Sequence, residues 1–240
     1  MIHHAHLTRR LKRLGASPCW RRDRALVWRA LRVGLIGGRD VILDSTLRRA
    51  WAATAPDASW WRPAAKGGGF GYKVHVLLDR AARWPLVFWL SPANAHAAPF
   101  AYPLLPAARF GFGRVIRVVR AAGADWGRGL VRFIRFTLGA IPLIPFNRQR
   151  PPLARVRHLV WWPVSYAARA LLKRFFAAAK RDDHLNTADV TGWDAVRLRV
   201  TLPPCAILIG ALAAHAAGAP ALRLSPSRVL AHYQPVEERL

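Results

Sequence analysis

Acidic residues are the scarcest chemical group in this 240-residue sequence. Twelve aspartates and glutamates face 38 lysines and arginines, which gives a formal net charge of +26 at pH 7. Any mechanism that needs carboxylates must draw on these twelve: Asp23, Asp40, Asp44, Asp57, Asp79, Asp125, Asp182, Asp183, Asp189, Asp194, Glu237 and Glu238. A surface this basic repels itself unless a polyanion lies against it, and the commonest such partner is nucleic acid. Codon usage in a GC-rich genome would explain why arginine outnumbers lysine here, but not why carboxylates are so few.

Cysteine and long apolar runs are also scarce. Cys19 and Cys205 are too few for a disulfide scaffold or a zinc site, so we expect two reduced thiols in a cytoplasmic protein. Residues 1–13 are polar and basic, and they do not have the pattern of a secretory signal peptide. The most apolar run, residues 206–217, is shorter than the roughly 20 residues of a bilayer span. It also carries His215, and we expect it to form a buried helix rather than to meet a membrane.

The remaining composition is that of a globular protein, since 53% of the residues are hydrophobic and 10% are aromatic. Hydrophobic periodicity and turn residues predict the following elements. Strands are expected at 40–44, 71–79, 85–90, 114–119 and 141–145, and helices within 1–38 and at 99–108, 127–138, 166–181 and 192–217. The last helix is expected to break at Pro203 and Pro204. This order predicts one mixed α/β sheet flanked by helices.

Six motifs in a fixed order carry more information than the elements alone. They are Asp44-Ser-Thr after an apolar strand, Gly68-Gly-Phe-Gly-Tyr-Lys-Val-His, Ser91-Pro-Ala-Asn-Ala-His, Pro142-Leu-Ile-Pro-Phe-Asn-Arg, the basic helix from Arg169 to Lys180, and Gly192-Trp-Asp-Ala-Val-Arg-Leu-Arg. In order and spacing they resemble the catalytic domain of bacterial insertion-sequence transposases of the DDE type. The resemblance implies an RNase H-like α/β fold over residues 39–240 with a helical C-terminal end. Residues 1–38 would be a basic, mostly helical remnant of the region that recognises the element's ends.

The implied activity is metal-dependent DNA strand cleavage and transfer. Two Mg²⁺ ions about 3.5–4 Å apart activate the nucleophile and stabilise the leaving oxygen in such sites, and magnesium prefers oxygen ligands. The resemblance implies that two aspartates and one glutamate hold the ions. Asp44, expected at the end of the first strand, matches the first aspartate and is the candidate catalytic and metal-binding residue. The alternative is an aspartate that only caps the turn after a strand.

The other two acids are missing from the matching positions. The second aspartate falls on Ala121, or on Ala122 if the register shifts by one. Asp125 is a candidate substitute, although four residues span up to about 13 Å of extended chain. Lys173 occupies the position of the glutamate, where its charge would repel divalent cations. We therefore expect a catalytically inactive transposase-family protein.

The residues that would contact DNA are better retained. The resemblance implies phosphate contacts from Tyr72, Lys73, His75, Asn94, Arg148, Arg169, Arg174 and Lys180, and Trp60 and Trp61 are candidates either for base stacking or for the core. The expected partners are the element's ends and target DNA, with a homodimer allowed, in the bacterial cytoplasm near the nucleoid. Two alternatives stay open, which are a non-enzymatic, sequence-tolerant nucleic-acid-binding protein and a non-functional gene remnant.

Overall fold

The architecture is a mixed β-sheet with helices on both faces. The computed structural model describes residues 16–62, 68–122, 125, 127–145, 170–182 and 190–219. The strands are β1 (Asp40–Arg49), β2 (Ser59–Trp60), β3 (Phe70–Asp79), β4 (Pro85–Pro92), β5 (Val118–Arg120) and β6 (Ile141–Leu143). The helices are α1 (Ala16–Arg32), α2 (Ala101–Arg109), α3 (Arg128–Arg132), α4 (Ala170–Asp182) and α5 (Trp193–Ala216). A 3₁₀ turn (Ala98–Phe100) precedes α2, and a π-helical turn (Phe133–Thr137) continues α3.

β1 lies at the centre of the sheet. On one side it pairs antiparallel with β3, from Val41 opposite Asp79 to Arg49 opposite Gly71. On the other side it pairs in parallel with β5, which in turn pairs in parallel with β6. β3 also pairs antiparallel with β4, as the predicted hairpin requires, and with the short β2. The predicted α/β class and the mixed sheet flanked by helices are therefore confirmed.

Alternate side chains of the strands feed two apolar cores. On one face, Val41, Leu43 and Val119 join a cluster with α1, α2, α3 and the C-terminal half of α5. On the other face, Ile42 and Val76 join a cluster with α4 and the N-terminal half of α5. The period of two along a strand and burial on both faces together account for the apolar character of β1 and β3.

Three predicted boundaries are clearly wrong. The strand expected at 114–119 begins only at Val118 and ends at Arg120. The first strand does not end at Asp44 but continues for five residues to Arg49, because β3 pairs with it along its whole length. The last helix does not break at Pro203 and Pro204, although each proline removes an amide donor from the helix. Its two halves pack into the two different cores, Val196 and Val200 in one and Leu208 in the other, which holds the helix continuous.

α1 belongs to the same core as the sheet. Val27, Ala30 and Leu31 are almost fully buried, and α1 packs against α5. The assignment of residues 1–38 to a separate evolutionary region stays a prediction. α5 is the single helix within the described residues whose length and composition would allow it to cross a membrane, but half of its apolar stretch is buried inside the protein.

Candidate active site and basic surface

Asp44 lies in the middle of β1. It alternates with Leu43 and therefore faces the side of the sheet that carries α4, as Ile42 does. Its side chain is half-buried, and its Oδ1 accepts a hydrogen bond of 2.8 Å from the backbone N–H of Ser45. Across the sheet its partner on β3 is Val76, an apolar residue. A second metal-ligating side chain beside Asp44 would therefore have to come from β5 or α4.

The pairing of β1 with β5 ends two residues before Asp44, where Ile42 is opposite Arg120. Ala121 is completely buried with Val119 on the face opposite to Asp44. A parallel register continued past the end of β5 would bring Ala122 level with Asp44, so the choice between the two alanines stays a prediction. Neither methyl group supplies a ligand.

Asp125 is buried and closes the turn that follows β5. Only 2% of it is exposed, and its Oδ2 accepts a hydrogen bond of 3.1 Å from the backbone N–H of Ala122. Its charge also acts on Lys73, whose pKa is lowered by burial and partly raised again by Asp125. Lys73 alternates with Val74 and so extends from the opposite face of the sheet to Asp44. These contacts tie Asp125 to the turn and to Lys73, and the role of substitute ligand stays a prediction.

Lys173 lies on α4 next to the residues that anchor this helix to the sheet. Leu172 and Phe176 are buried in the same cluster as Ile42, and α4 packs against β1. Lys173 follows Leu172 directly and is exposed at the flank of the helix. The helix that the resemblance assigns to the third ligand thus packs on the face of the sheet that carries Asp44, and Lys173 is exposed on that helix.

Most of the remaining described carboxylates have structural partners. Asp40 receives two hydrogen bonds of 2.8 Å from Arg120 and lies 3.4 Å from Arg80. Asp79 accepts hydrogen bonds of 2.7 Å from the backbone N–H groups of Gly38 and Ala82. These bonds hold the ends of β1 and β3 in place, which explains the positions of both aspartates without a catalytic role.

The donor set does not fit a pair of magnesium ions. Within the described parts of the chain, no group of three or more histidines, cysteines, aspartates or glutamates is arranged to hold a metal ion. The positions that the resemblance assigns to the second and third ligands carry an alanine and a lysine. We therefore derive no catalytic step through a metal at this site.

Two of the predicted DNA contacts are buried. Tyr72 has no exposed surface and packs against Trp193 at 6.1 Å between ring centroids. His75 is 1% exposed, stacks on Phe100 at 4.0 Å, and its Nε2 lies 2.8 Å from Ser91 Oγ. Neither side chain is accessible to a phosphate in the folded protein, so the expected contacts of Tyr72 and His75 are corrected to core packing. Pairing of β3 with strands on both sides placed them in the core, whereas the resemblance had implied contacts with DNA.

His75 is expected to stay neutral throughout the physiological pH range. Burial, and to a smaller extent the nearby charge of Lys73, lowers its pKa from 6.5 to about 3. The histidine signal of His75, assigned by its loss in His75→Gln, should not shift in NMR spectra between pH 8 and pH 5. A titration of His75 near pH 6.5 would mean that the side chain is solvated.

The other predicted contacts vary in accessibility. Asn94 and Arg174 are exposed, and Lys180 is half-buried with a pKa lowered by burial. Lys73 is half-buried and donates a hydrogen bond to the backbone oxygen of Ala95. Arg148 and Arg169 lie outside the described residues. Of the two tryptophan candidates, Trp60 is 48% exposed and packs on Phe70, whereas Trp61 is half-buried against Gly69.

Charge is segregated between surface and interior. Among the side chains whose burial the structure describes, the exposed charged ones are fourteen arginines and one lysine against one acid, Asp194. The basic ones are Arg21, Arg22, Arg29, Arg32, Arg39, Arg49, Arg62, Arg80, Arg83, Arg117, Arg128, Arg132, Arg135, Arg174 and Lys173. Sequence analysis did not single out Arg128, Arg132 and Arg135, although their spacing of four and three residues sets them along one face of a helix.

The comparisons with known proteins add no relative. No protein-family model, curated protein or solved structure matches the chain. Its functional interpretation therefore rests on the geometry and electrostatics of the protein itself.

Proposed function

We propose that this protein is a DNA-binding domain of transposase ancestry, with an RNase H-like sheet, that has lost metal-dependent strand cleavage. The single observation that carries the proposal is the neighbourhood of Asp44. An acid on the central strand faces the parallel strand β5 and the helix α4, and the matching positions on these two elements are an alanine and a lysine.

The sheet supports the transposase part of the proposal. The resemblance assigns the two aspartates to the first long strand and to the strand after the hairpin and helix. Those two strands, β1 and β5, lie side by side and run parallel, so residues at matched levels share a face. An aspartate at matched positions on the two strands would bring two carboxylates side by side as oxygen ligands. A chance resemblance in sequence would not require this adjacency.

The surface supports the DNA-binding part. With fifteen exposed basic side chains and one exposed acid in the described ranges, the field around the domain attracts polyanions. Phosphate contacts of this kind carry most of the affinity for DNA and none of the sequence information. The surface is therefore also compatible with the second candidate function, a sequence-tolerant nucleic-acid binder without transposase ancestry.

Binding without cleavage is the expected result with duplex DNA. Affinity should fall linearly with salt on a log–log scale, with a slope of about −0.9 for each phosphate neutralised. Incubation with Mg²⁺ or Mn²⁺ should produce no nicks, and Asp44→Ala should leave the affinity unchanged. A gel-shift titration over a salt series and a supercoiled-plasmid nicking assay measure the two properties.

Two outcomes of these assays would contradict the proposal. Metal-dependent nicking that disappears in Asp44→Ala would show an active site, and Asp125→Asn would then test the substitute ligand. Failure to bind DNA at low salt would contradict the proposed DNA-binding function as a whole. A marked preference for inverted-repeat ends over random DNA of equal length would favour transposase ancestry over the sequence-tolerant binder.

A further inference from the structure

A cleft opens where the edge strand β4 meets the beginning of α5. Its volume is about 150 Å³, and it is lined by Phe88, Trp89, Leu90, Trp193 and Arg197. β4 pairs with β3 along one side, and among the described strands none pairs with its other side. None of the lining residues belongs to the set that the resemblance assigned to catalysis or to DNA contact.

The walls of the cleft are held in place before any ligand arrives. The backbone N–H of Trp193 donates a hydrogen bond of 3.0 Å to Asp57 Oδ2, and the indole packs against the fully buried Tyr72. Phe88 and Leu90 are buried to within a few per cent and belong to the core under α5. A ligand would therefore meet a preorganised surface, and little side-chain ordering would oppose its binding.

The size and chemistry of the cleft suit one flat ring attached to an anion. A cavity of about 150 Å³ accommodates a single benzene-sized ring, which excludes a base pair. Indole rings stack on the faces of unpaired bases, and a guanidinium group can bind a phosphate through two parallel hydrogen bonds. Bases inside a duplex expose only their edges in the grooves. A pyrimidine in a single strand has both the free ring face and the adjacent phosphate.

Charge favours a nucleic acid over the other ligand of this shape, an aromatic side chain of a peptide. The cleft contains Arg197 and lies on a surface whose exposed charges, in the described ranges, are basic except for Asp194. Asp194 precedes Arg197 by three residues on α5, close enough to oppose an approaching phosphate. The local field should therefore be weakened by Asp194 but still favour a polyanion.

We propose that this cleft binds one unstacked pyrimidine of single-stranded DNA, stacked against Trp89 or Trp193, with its phosphate on Arg197. The inference rests on the proposed DNA binding and deepens it. It assigns the protein a second mode of binding, in which a base is recognised by its face rather than a duplex by its phosphates.

Fluorescence anisotropy with three labelled probes tests the cleft. The probes are a ten-nucleotide oligo-dT, an abasic strand of the same length and charge, and a ten-base-pair duplex. The full chain should bind oligo-dT about tenfold or more tighter than the abasic strand, because one stacked base contributes that much. Trp89→Ala should abolish most of this preference while changing duplex affinity less than twofold, and Arg197→Gln should weaken oligo-dT binding because the phosphate contact is lost.

Matched variants control for the loss of an exposed ring or charge. Trp51 is 69% exposed and lies outside the cleft, so Trp51→Ala should leave all three affinities unchanged. Arg132→Gln, on α3, should weaken the three probes alike, and Asp194→Asn should tighten oligo-dT binding severalfold. Circular dichroism of each variant verifies folding, and the comparison of oligo-dT with the abasic strand needs no variant.

The outcomes distinguish failure of the proposed cleft from failure of the proposed DNA binding on which it rests. Duplex binding with equal affinity for oligo-dT and the abasic strand would overturn the cleft and leave DNA binding intact. Failure of all three probes to bind would overturn both. Tighter binding of an acidic, phenylalanine-containing peptide than of oligo-dT would overturn the choice of nucleic acid as the occupant.

Discussion

Replacing Asp23 with Asn is expected to stabilise the folded protein, and to do so more at pH 8 than at pH 5. Asp23 lies on α1 and is only 4% exposed. Its Oδ1 accepts a hydrogen bond from Cys205 Sγ, 3.8 Å away on α5. Burial, offset in part by the hydrogen bond from Cys205, raises the pKa of Asp23 from 3.8 to about 7.

The direction of the effect follows from proton linkage. Because the folded state holds the proton more tightly, Asp23 costs nothing below pH 3.8. Stability is lost as the pH rises towards 7, and the loss is complete above that. The full cost is about 4 kcal/mol at pH 8 and roughly half of that at pH 5, since one pKa unit corresponds to about 1.4 kcal/mol. An asparagine of the same shape carries no charge and avoids this cost.

Urea unfolding of the two proteins at pH 5 and pH 8 measures the difference. Asp194→Asn is the matched control, because Asp194 is exposed in the first turn of α5. Its removal should change stability by less than about 1 kcal/mol and in the opposite direction, because the carboxylate interacts favourably with the helix N-terminus. An Asp23→Asn effect that does not change between the two pH values would mean that Asp23 ionises freely.

Restoring two carboxylates beside Asp44 is expected to create divalent-cation binding. In Ala122→Asp combined with Lys173→Glu, Asp44 gains an acid at the matched level of β5 and α4 loses its positive charge. Each charge interacts with a cation 4 Å away by about 1–4 kcal/mol, which corresponds to a gain of about tenfold or more in affinity per substitution. Titration calorimetry with Mn²⁺ should show saturable binding in the double variant and none in the unaltered chain at millimolar concentration.

Ala121→Asp distinguishes the register from a general effect of added charge. Ala121 is completely buried on the opposite face of the sheet. A carboxylate there would be buried without a partner and should destabilise the protein by about 3–5 kcal/mol without binding Mn²⁺. If Ala121→Asp restored the cation site and Ala122→Asp did not, the register of β1 and β5 would be wrong at this level.

The sequence predicted the elements better than it predicted their ends. Alternation of apolar residues located β3 and the β3–β4 hairpin to within two residues, because both faces of those strands are buried. It placed the end of β1 five residues too early, at Asp44, since a polar residue on a strand has the same local signature as a turn. The predicted helix break at Pro203 and Pro204 is also wrong, because packing of the helix on two cores outweighs the loss of the two amide donors.

For the candidate site, too, some properties could be predicted from the sequence and others required the tertiary structure. The sequence by itself determined the net charge and the short supply of carboxylates. Those properties are local and do not depend on folding. Only the tertiary structure decided that β1 pairs with β5, that Tyr72 and His75 are buried, and that Trp89 and Trp193 share a cleft. Each of these depends on strand register or on contacts between residues far apart in the chain, and no local pattern encodes them.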